Sequence, residues 1–126
     1  MMNMIEKRHA AHLDYANEAA LLKALAHPTR LAILYLLRDG PHCVCHLESY
    51  LGLRQAYISQ QLSVLREAGL LQVNRAGWNI YYSVSDPAVF SILDKIQAIT
   101  GWSSTSIMTH PQHCPCPECQ SNSKKC

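Results

Sequence analysis

The sequence predicts a mainly α domain that carries one small β-hairpin, and three observations support this. Apolar residues recur at helical spacing through most of residues 9–100. Prolines and glycines fall between those stretches rather than inside them, as at Pro28, Gly40-Pro41, Gly52, Gly69 and Gly101. Only one region, about residues 71–84, changes to β-prone composition, and it has turn-forming residues at its centre.

Residues 9–25 are Ala-rich, contain no Gly or Pro, and place Leu13, Ala16, Ala20 and Leu21 near helical spacing, which predicts a first helix. His27-Pro28-Thr29 interrupts it. Pro28 suits the first turn of a second helix, where its missing N–H costs nothing. That helix runs to about Arg38 behind Leu31, Ile33, Leu34, Leu36 and Leu37, and Asp39-Gly40-Pro41 stops it. A short helix is expected over Cys43–Tyr50, ending at Gly52, and a fourth over Gln55–Ala68, closed by Gly69. In the fourth, Ile58, Leu62 and Leu65 form one inward stripe, and Gln55, Ser59, Gln60, Ser63 and Arg66 lie opposite. Leu71-Gln72-Val73 and Ile80–Val84 read as strands around the turn Asn74–Asn79. Asp86-Pro87 opens a last helix to Thr100, with Val89, Ile92, Leu93, Ile96 and Ile99 apolar. The division expected is a domain over residues 1–101 and a Cys/Pro-rich, poorly structured tail over 102–126.

A chain of 126 residues, half of them apolar, is the size of one domain and gains from sharing its core with a second copy. The net charge of +2 is too small to imply nucleic acid by itself. Charges at Glu6, Lys7 and Arg8 break the apolar run a signal peptide needs, and Leu31–Leu37 is far short of a membrane span. A cytoplasmic protein is expected, in which six cysteines serve as ligands or redox sensors rather than structural disulfides.

The tight Leu51-Gly52-Leu53 turn between two helices, the second of them amphipathic, is a helix-turn-helix pattern, and a hairpin directly after it is a wing. In such a winged helix-turn-helix the second helix enters the major groove. Gln60 or Gln61 could pair with adenine, and Ser59 or Ser63 could reach a base or a phosphate; Gln55 and Tyr57 complete the set. Arg54, Arg66 and Arg75 flank helix and hairpin, suited to phosphates. The same polar face on an isolated helix would be only a solvated surface; the complete order of helix, turn, helix and wing argues for DNA.

Three stretches resemble the ArsR/SmtB family of winged-helix metal-sensing repressors. They are Leu22–Leu31, which includes His27-Pro28-Thr29-Arg30; Ile58-Ser59-Gln60-Gln61-Leu62 through Leu65–Leu70; and Arg75-Ala76-Gly77 leading to Tyr81-Tyr82. Together they span most of residues 20–84. The family often has His where this chain has Gln61, a position expected to face DNA and to alter operator preference. The resemblance implies a homodimer formed through the first and last helices, and hence an inverted-repeat operator on double-stranded DNA with half-sites about one turn apart.

The cysteines fall at Cys43 and Cys45, at Cys114, Cys116 and Cys119, and at Cys126. Two sulfurs spaced Cys-x-Cys share one side of an extended segment but diverge on a regular helix, so they can grip one ion only where a helix is just starting or is distorted. Gly40-Pro41-His42 supplies such a start, and a helix N-terminus favours the thiolate. The resemblance implies an inducer site for a thiophilic ion at Cys43-Val44-Cys45-His46-Leu47: arsenite or antimonite first, cadmium, lead or zinc next. Position 48, cysteine in some members, is Glu48 here, so further ligands must come from elsewhere. Cys114, Cys116 and Cys119, stiffened by prolines, are the rich source, either folding onto Cys43 and Cys45 or forming a second site. His42, His110 and His113 are borderline ligands that favour zinc.

Other readings stay open. Cys43 and Cys45 could be small buried hydrophobes, or paired thiols whose disulfide releases DNA. Residues 87–100 hold no His for a second family zinc site, and His9 and His12 read as solvated surface. An enzyme is not expected, because there is no Ser/His/Asp order, phosphate loop or evident carboxylate pair. A metal-buffering protein or a thiol enzyme is the rival from another class.

Overall fold

The computed structural model describes residues 15–101. Residues 9–14 of the first expected helix, with His9 and His12, and the whole tail from Trp102 lie outside the described residues. The order is α1 (Ala16–Leu25), α2 (Pro28–Leu36) continued by a 3₁₀ turn (Leu37–Asp39), β1 (His42–Cys43), α3 (Val44–Leu51), α4 (Gln55–Glu67), β2 (Leu71–Ala76), β3 (Asn79–Val84) and α5 (Ala88–Thr100).

The junction between α1 and α2 shows what His27-Pro28-Thr29-Arg30 does. His27 is extended and caps α2, its Nδ1 accepting from the Thr29 N–H at 3.2 Å, while Pro28 fills the first turn. Arg30 then binds carbonyls at the end of α1: Nε donates to Ala24 O, and Nη2 to Lys23 O at 3.1 Å. Ile33, Leu34, Leu36 and Leu37 enter the core, where they meet Leu47 of α3, Ile58, Leu62 and Leu65 of α4, and Val89 and Leu93 of α5.

Gly52 turns α3 toward α4. It sits in the left-handed region at φ +65°, its N–H donating to Glu48 O at 2.8 Å, a conformation glycine adopts without penalty.

The sheet differs from the expected hairpin in two ways. The strands run further, pairing Asn74 with Tyr81, Arg75 with Ile80 and Ala76 with Asn79, so only Gly77 and Trp78 form the loop. Gly77, at φ +64°, permits that tight reversal, and Asn74 and Asn79 are strand residues despite their turn preference. A third strand also joins. β1 pairs antiparallel with β3, His42 opposite Tyr82 and Cys43 opposite Tyr81, giving the order β1-β3-β2.

α5 is tied to α2 at the surface. Tyr35 Oη donates to Leu93 O at 3.2 Å, and Arg38 donates through both terminal nitrogens to Asp94 at 2.7 and 2.8 Å. The hydrogen bonds from Arg38 hold the Asp94 carboxyl below the usual carboxylate range. What this pair adds is therefore present at neutral pH and lost as pH falls through that lowered value. No single helix among the described residues is long and apolar enough to cross a membrane.

Candidate nucleic-acid interface and cysteine pair

α4 presents two unlike faces. Ile58, Leu62 and Leu65 are buried, each at most 1 % exposed. Gln55, Tyr57, Gln60, Ser63 and Arg66 are exposed, and Ser59 is half-buried. Arg54, the N-cap residue, makes no side-chain capping bond and is exposed, as is Arg75 on β2. Tyr57 Oη lies 3.4 Å from His27 Nε2, the ring that caps α2. From Ser49 to Ser85 the chain carries three arginines (Arg54, Arg66, Arg75) against a single acid, Glu67. Over the whole helix-turn-helix and wing, residues 44–84, Glu48 joins Glu67, so three arginines face two acids and the positive charge is local to Arg54, Arg66 and Arg75.

Gln61 corrects the expectation that it faces DNA. It is 8 % exposed, and its Oε1 accepts from Arg30 Nη1 at 2.9 Å. The cause is helical periodicity: positions 58, 61, 62 and 65 are i, i+3, i+4 and i+7, one face of a helix. Gln61 therefore belongs to the inward stripe, where a buried amide needs a partner and Arg30 supplies it. Through Arg30 the end of α1 is bonded to the middle of α4. Gln61→Leu keeps the volume and removes the acceptor, and is expected to cost about 1–3 kcal/mol in urea unfolding. A cost below about 0.5 kcal/mol would show that the Arg30 bond adds nothing.

The cysteine pair lies at the junction of β1 and α3. Cys43 is still extended, φ −85° and ψ 167°, and caps α3, whereas Cys45 is in its first turn. That change of backbone brings together two side chains that would diverge on a continuous helix. The sulfurs are 3.0 Å apart, one thiol donating to the other. Cys43 is buried at 6 % exposure and Cys45 is half-buried. Cys45 borders an open cleft of about 370 Å³ whose other walls are Glu48, Ser49, Gly52, Leu53 and Arg54.

Histidine packing around the pair was not legible in the sequence. His42 stacks on His46 at 4.1 Å between ring centroids, His46 lies 4.5 Å from Tyr50, and His42 Nε2 is 3.1 Å from Leu36 O. His46 is 1 % exposed. The i, i+4 spacing of His46 and Tyr50 on one helix was the available signal, whereas the His42–His46 stack crosses the junction of β1 and α3. Among the described residues no group of three or more His, Cys, Asp or Glu is placed to hold a metal ion. Cys114, Cys116, Cys119, His110 and His113 lie outside the described residues.

A helix-turn-helix with an exposed polar second helix, flanked by exposed arginines and followed by a hairpin, defines a winged helix-turn-helix transcriptional regulator rather than an enzyme. A profile described as "Bacterial regulatory protein, arsR family" matches residues 27–73. The chain is 46 % identical over 91 residues to the transcriptional regulator NmtR of Mycobacterium tuberculosis, covering 70 % of this chain and 76 % of that protein. It is 41 % identical over 81 residues to the biofilm growth-associated repressor of Agrobacterium fabrum, covering 64 % and 69 % of the two chains. Among solved structures it is similar to the homodimeric winged helix-turn-helix DNA-binding domain Mb0332 of Mycobacterium bovis, with a TM-score of 0.65 and 32 % identity over 75 % of this chain and 85 % of that one. The chain belongs to the ArsR/SmtB family of transcriptional regulators.

Proposed function

We propose that this regulator is a homodimeric repressor of an inverted-repeat operator, released when Cys43 and Cys45 bind a thiophilic metal or metalloid. Trivalent arsenic or antimony is the first choice and cadmium, lead or zinc the next. The observation that carries this reading is the 3.0 Å separation of the two sulfurs at the start of the first helix of the helix-turn-helix. A tetrahedral ion with sulfur bonds of about 2.3 Å holds two sulfurs about 3.8 Å apart. The pair is thus within about 1 Å of a shared-ligand geometry and fits as two members of a larger set. The remaining ligands fall to Cys114, Cys116 and Cys119, of the same subunit or the other.

The fold gives that pair leverage. Cys43 belongs to the strand that pairs with the wing, and Cys45 to the helix packed against α4. Spreading the two thiolates moves β1 relative to α3, and hence the wing relative to the helix that reads DNA. The DNA contacts assigned are Gln55, Tyr57, Ser59, Gln60 and Ser63, with Arg54, Arg66 and Arg75 on phosphates. Exposed Leu22 on α1 and Ile99 on α5 support a dimer through the terminal helices, where a second copy would cover them. The 3.0 Å separation also favours a second reading, since the same sulfurs are about 1 Å from the length of a disulfide.

The test is an anaerobic titration of the reduced full chain on a fluorescent duplex selected by the protein from a randomised pool. Arsenite, cadmium, lead and zinc are added in turn, then an oxidant. Release by arsenite alone marks a three-thiolate site; release by cadmium, lead or zinc marks a fuller ligand set. Release by oxidant only replaces ion sensing with thiol oxidation, and no release at all sinks both.

A further inference from the structure

We infer that Trp78, at the apex of the wing, is a DNA wedge: its indole enters the minor groove next to the major groove occupied by α4 and senses the deformability of the base step there. The inference rests on the DNA-binding reading above and adds a residue that the polar contacts of α4 do not supply.

Trp78 is 100 % exposed. It shares a two-residue loop with Gly77, between the paired Ala76 and Asn79, so the turn projects it without support from the fold. Burying an aromatic of this size is among the larger gains open to a side chain, and folding gains nothing from this one. A protein partner is a poor match for it. Among the described residues, the other large exposed hydrophobics, Tyr15, Leu22, Tyr57, Val64 and Ile99, lie on or beside helices rather than on the hairpin, so the described wing offers one large exposed apolar side chain rather than the apolar core that protein interfaces bury. A DNA groove, by contrast, accepts a single apolar side chain as a wedge between base steps.

Charge and reach agree with that partner. Residues 68–85 contain no acid and one cation, Arg75, three positions before Trp78. Only Ala68, Gly69 and Leu70 separate α4 from β2, so the hairpin is rooted at the C-terminal end of the reading helix. Six strand residues extend about 20 Å at about 3.3 Å each. Half a DNA turn, the step from a major groove to the adjacent minor groove, is roughly 17 Å. The wing is therefore long enough to cross one phosphate backbone and place its apex in the minor groove. There, flexible pyrimidine–purine steps are the easiest to open.

The chain has two tryptophans, and Trp102→Phe leaves Trp78 as the only reporter. Duplexes are selected from a randomised pool by the full-length protein. Binding is then followed in parallel by anisotropy of the labelled DNA and by Trp78 emission. The expected result is a solvent-exposed emission in the free protein that is quenched on binding. Trp78→Ala should weaken binding about tenfold with an unchanged salt slope, because the contact carries no charge, whereas Arg75→Ala should reduce that slope by about one. A second selection with Trp78→Ala should lose the enrichment of flexible steps at the outer flanks of the site. Since Trp78 is fully exposed, the thermal melt of this variant should match that of the parent.

Binding by anisotropy with unchanged Trp78 emission, and a Trp78→Ala affinity equal to that of the parent, overturns the wedge alone. Emission already shielded in the free protein, and varying with protein concentration, assigns Trp78 to a second copy and also overturns it. Failure to recover any duplex removes the DNA-binding reading and the wedge with it.

Discussion

Cys45→Ser is expected to keep its affinity for DNA and to lose the inducer's effect on that affinity, a coupling that typically amounts to about 5–150-fold between two sites. The hydroxyl matches the thiol in shape but is a far poorer ligand for a soft ion, so the ligand set loses a member while α3 keeps its first turn. Cys43 needs more care. It is 6 % exposed, and a serine hydroxyl there costs about 1–3 kcal/mol if no partner is found. Cys43→Ala, which buries no polar group, is the paired variant. Both are read in the duplex-release titration, with a melt to establish folding. A normal response from either variant removes Cys43 and Cys45 from the inducer site. The coupling is reciprocal, so the parent bound to DNA should bind the inducer more weakly than the free parent, by the same factor.

Leu62→Ala is expected to cost about 2–5 kcal/mol, a large share of the roughly 5–15 kcal/mol that holds a domain together. Leu62 is 1 % exposed and lies on the α4 stripe between Ile58 and Leu65, next to Gln61. Removing its branched end leaves a cavity in the core it shares with Ile33, Leu34 and Leu47, to which all five helices contribute and where none can shift alone. Its chain neighbour Ser63 is exposed, and Ser63→Ala should change stability by no more than about 0.5 kcal/mol. Urea unfolding of the two side by side separates the faces of α4. Equal midpoints would contradict the orientation of the helix, on which the DNA contacts assigned to α4 depend.

The helical part of the fold was legible because its signals are local. Pro28 at a first turn, Gly52 and Gly101 just past helix ends, and the stripe of Ile58, Leu62 and Leu65 are each read within a few residues. Gln61 was legible too, through the same spacing, but its amide type outweighed its position. β1 had no local signal. Two residues do not make an alternating pattern, and His42 and Cys43 become a strand only because Tyr82 and Tyr81, about forty positions later, offer them an edge. The Arg30–Gln61 bond spans 31 positions and was invisible for the same reason. The Cys-x-Cys spacing pointed to the start of a helix, but that the junction would bring the sulfurs to 3.0 Å follows from the strand that precedes it.

A strand of two residues is also a weak latch. Opening an element this small exposes little apolar surface and breaks few ladder bonds, so its free energy lies far below that of global unfolding. Backbone amides at His42 and Cys43 should exchange with solvent well ahead of those at Leu62 and Leu65, which wait for the whole core to open. Cys43 is buried in the resting fold, yet an ion or reagent can reach it each time β1 lifts from β3. The speed with which the buried sulfur becomes available is then a property of one short seam in the sheet, independent of how stable the rest of the molecule is.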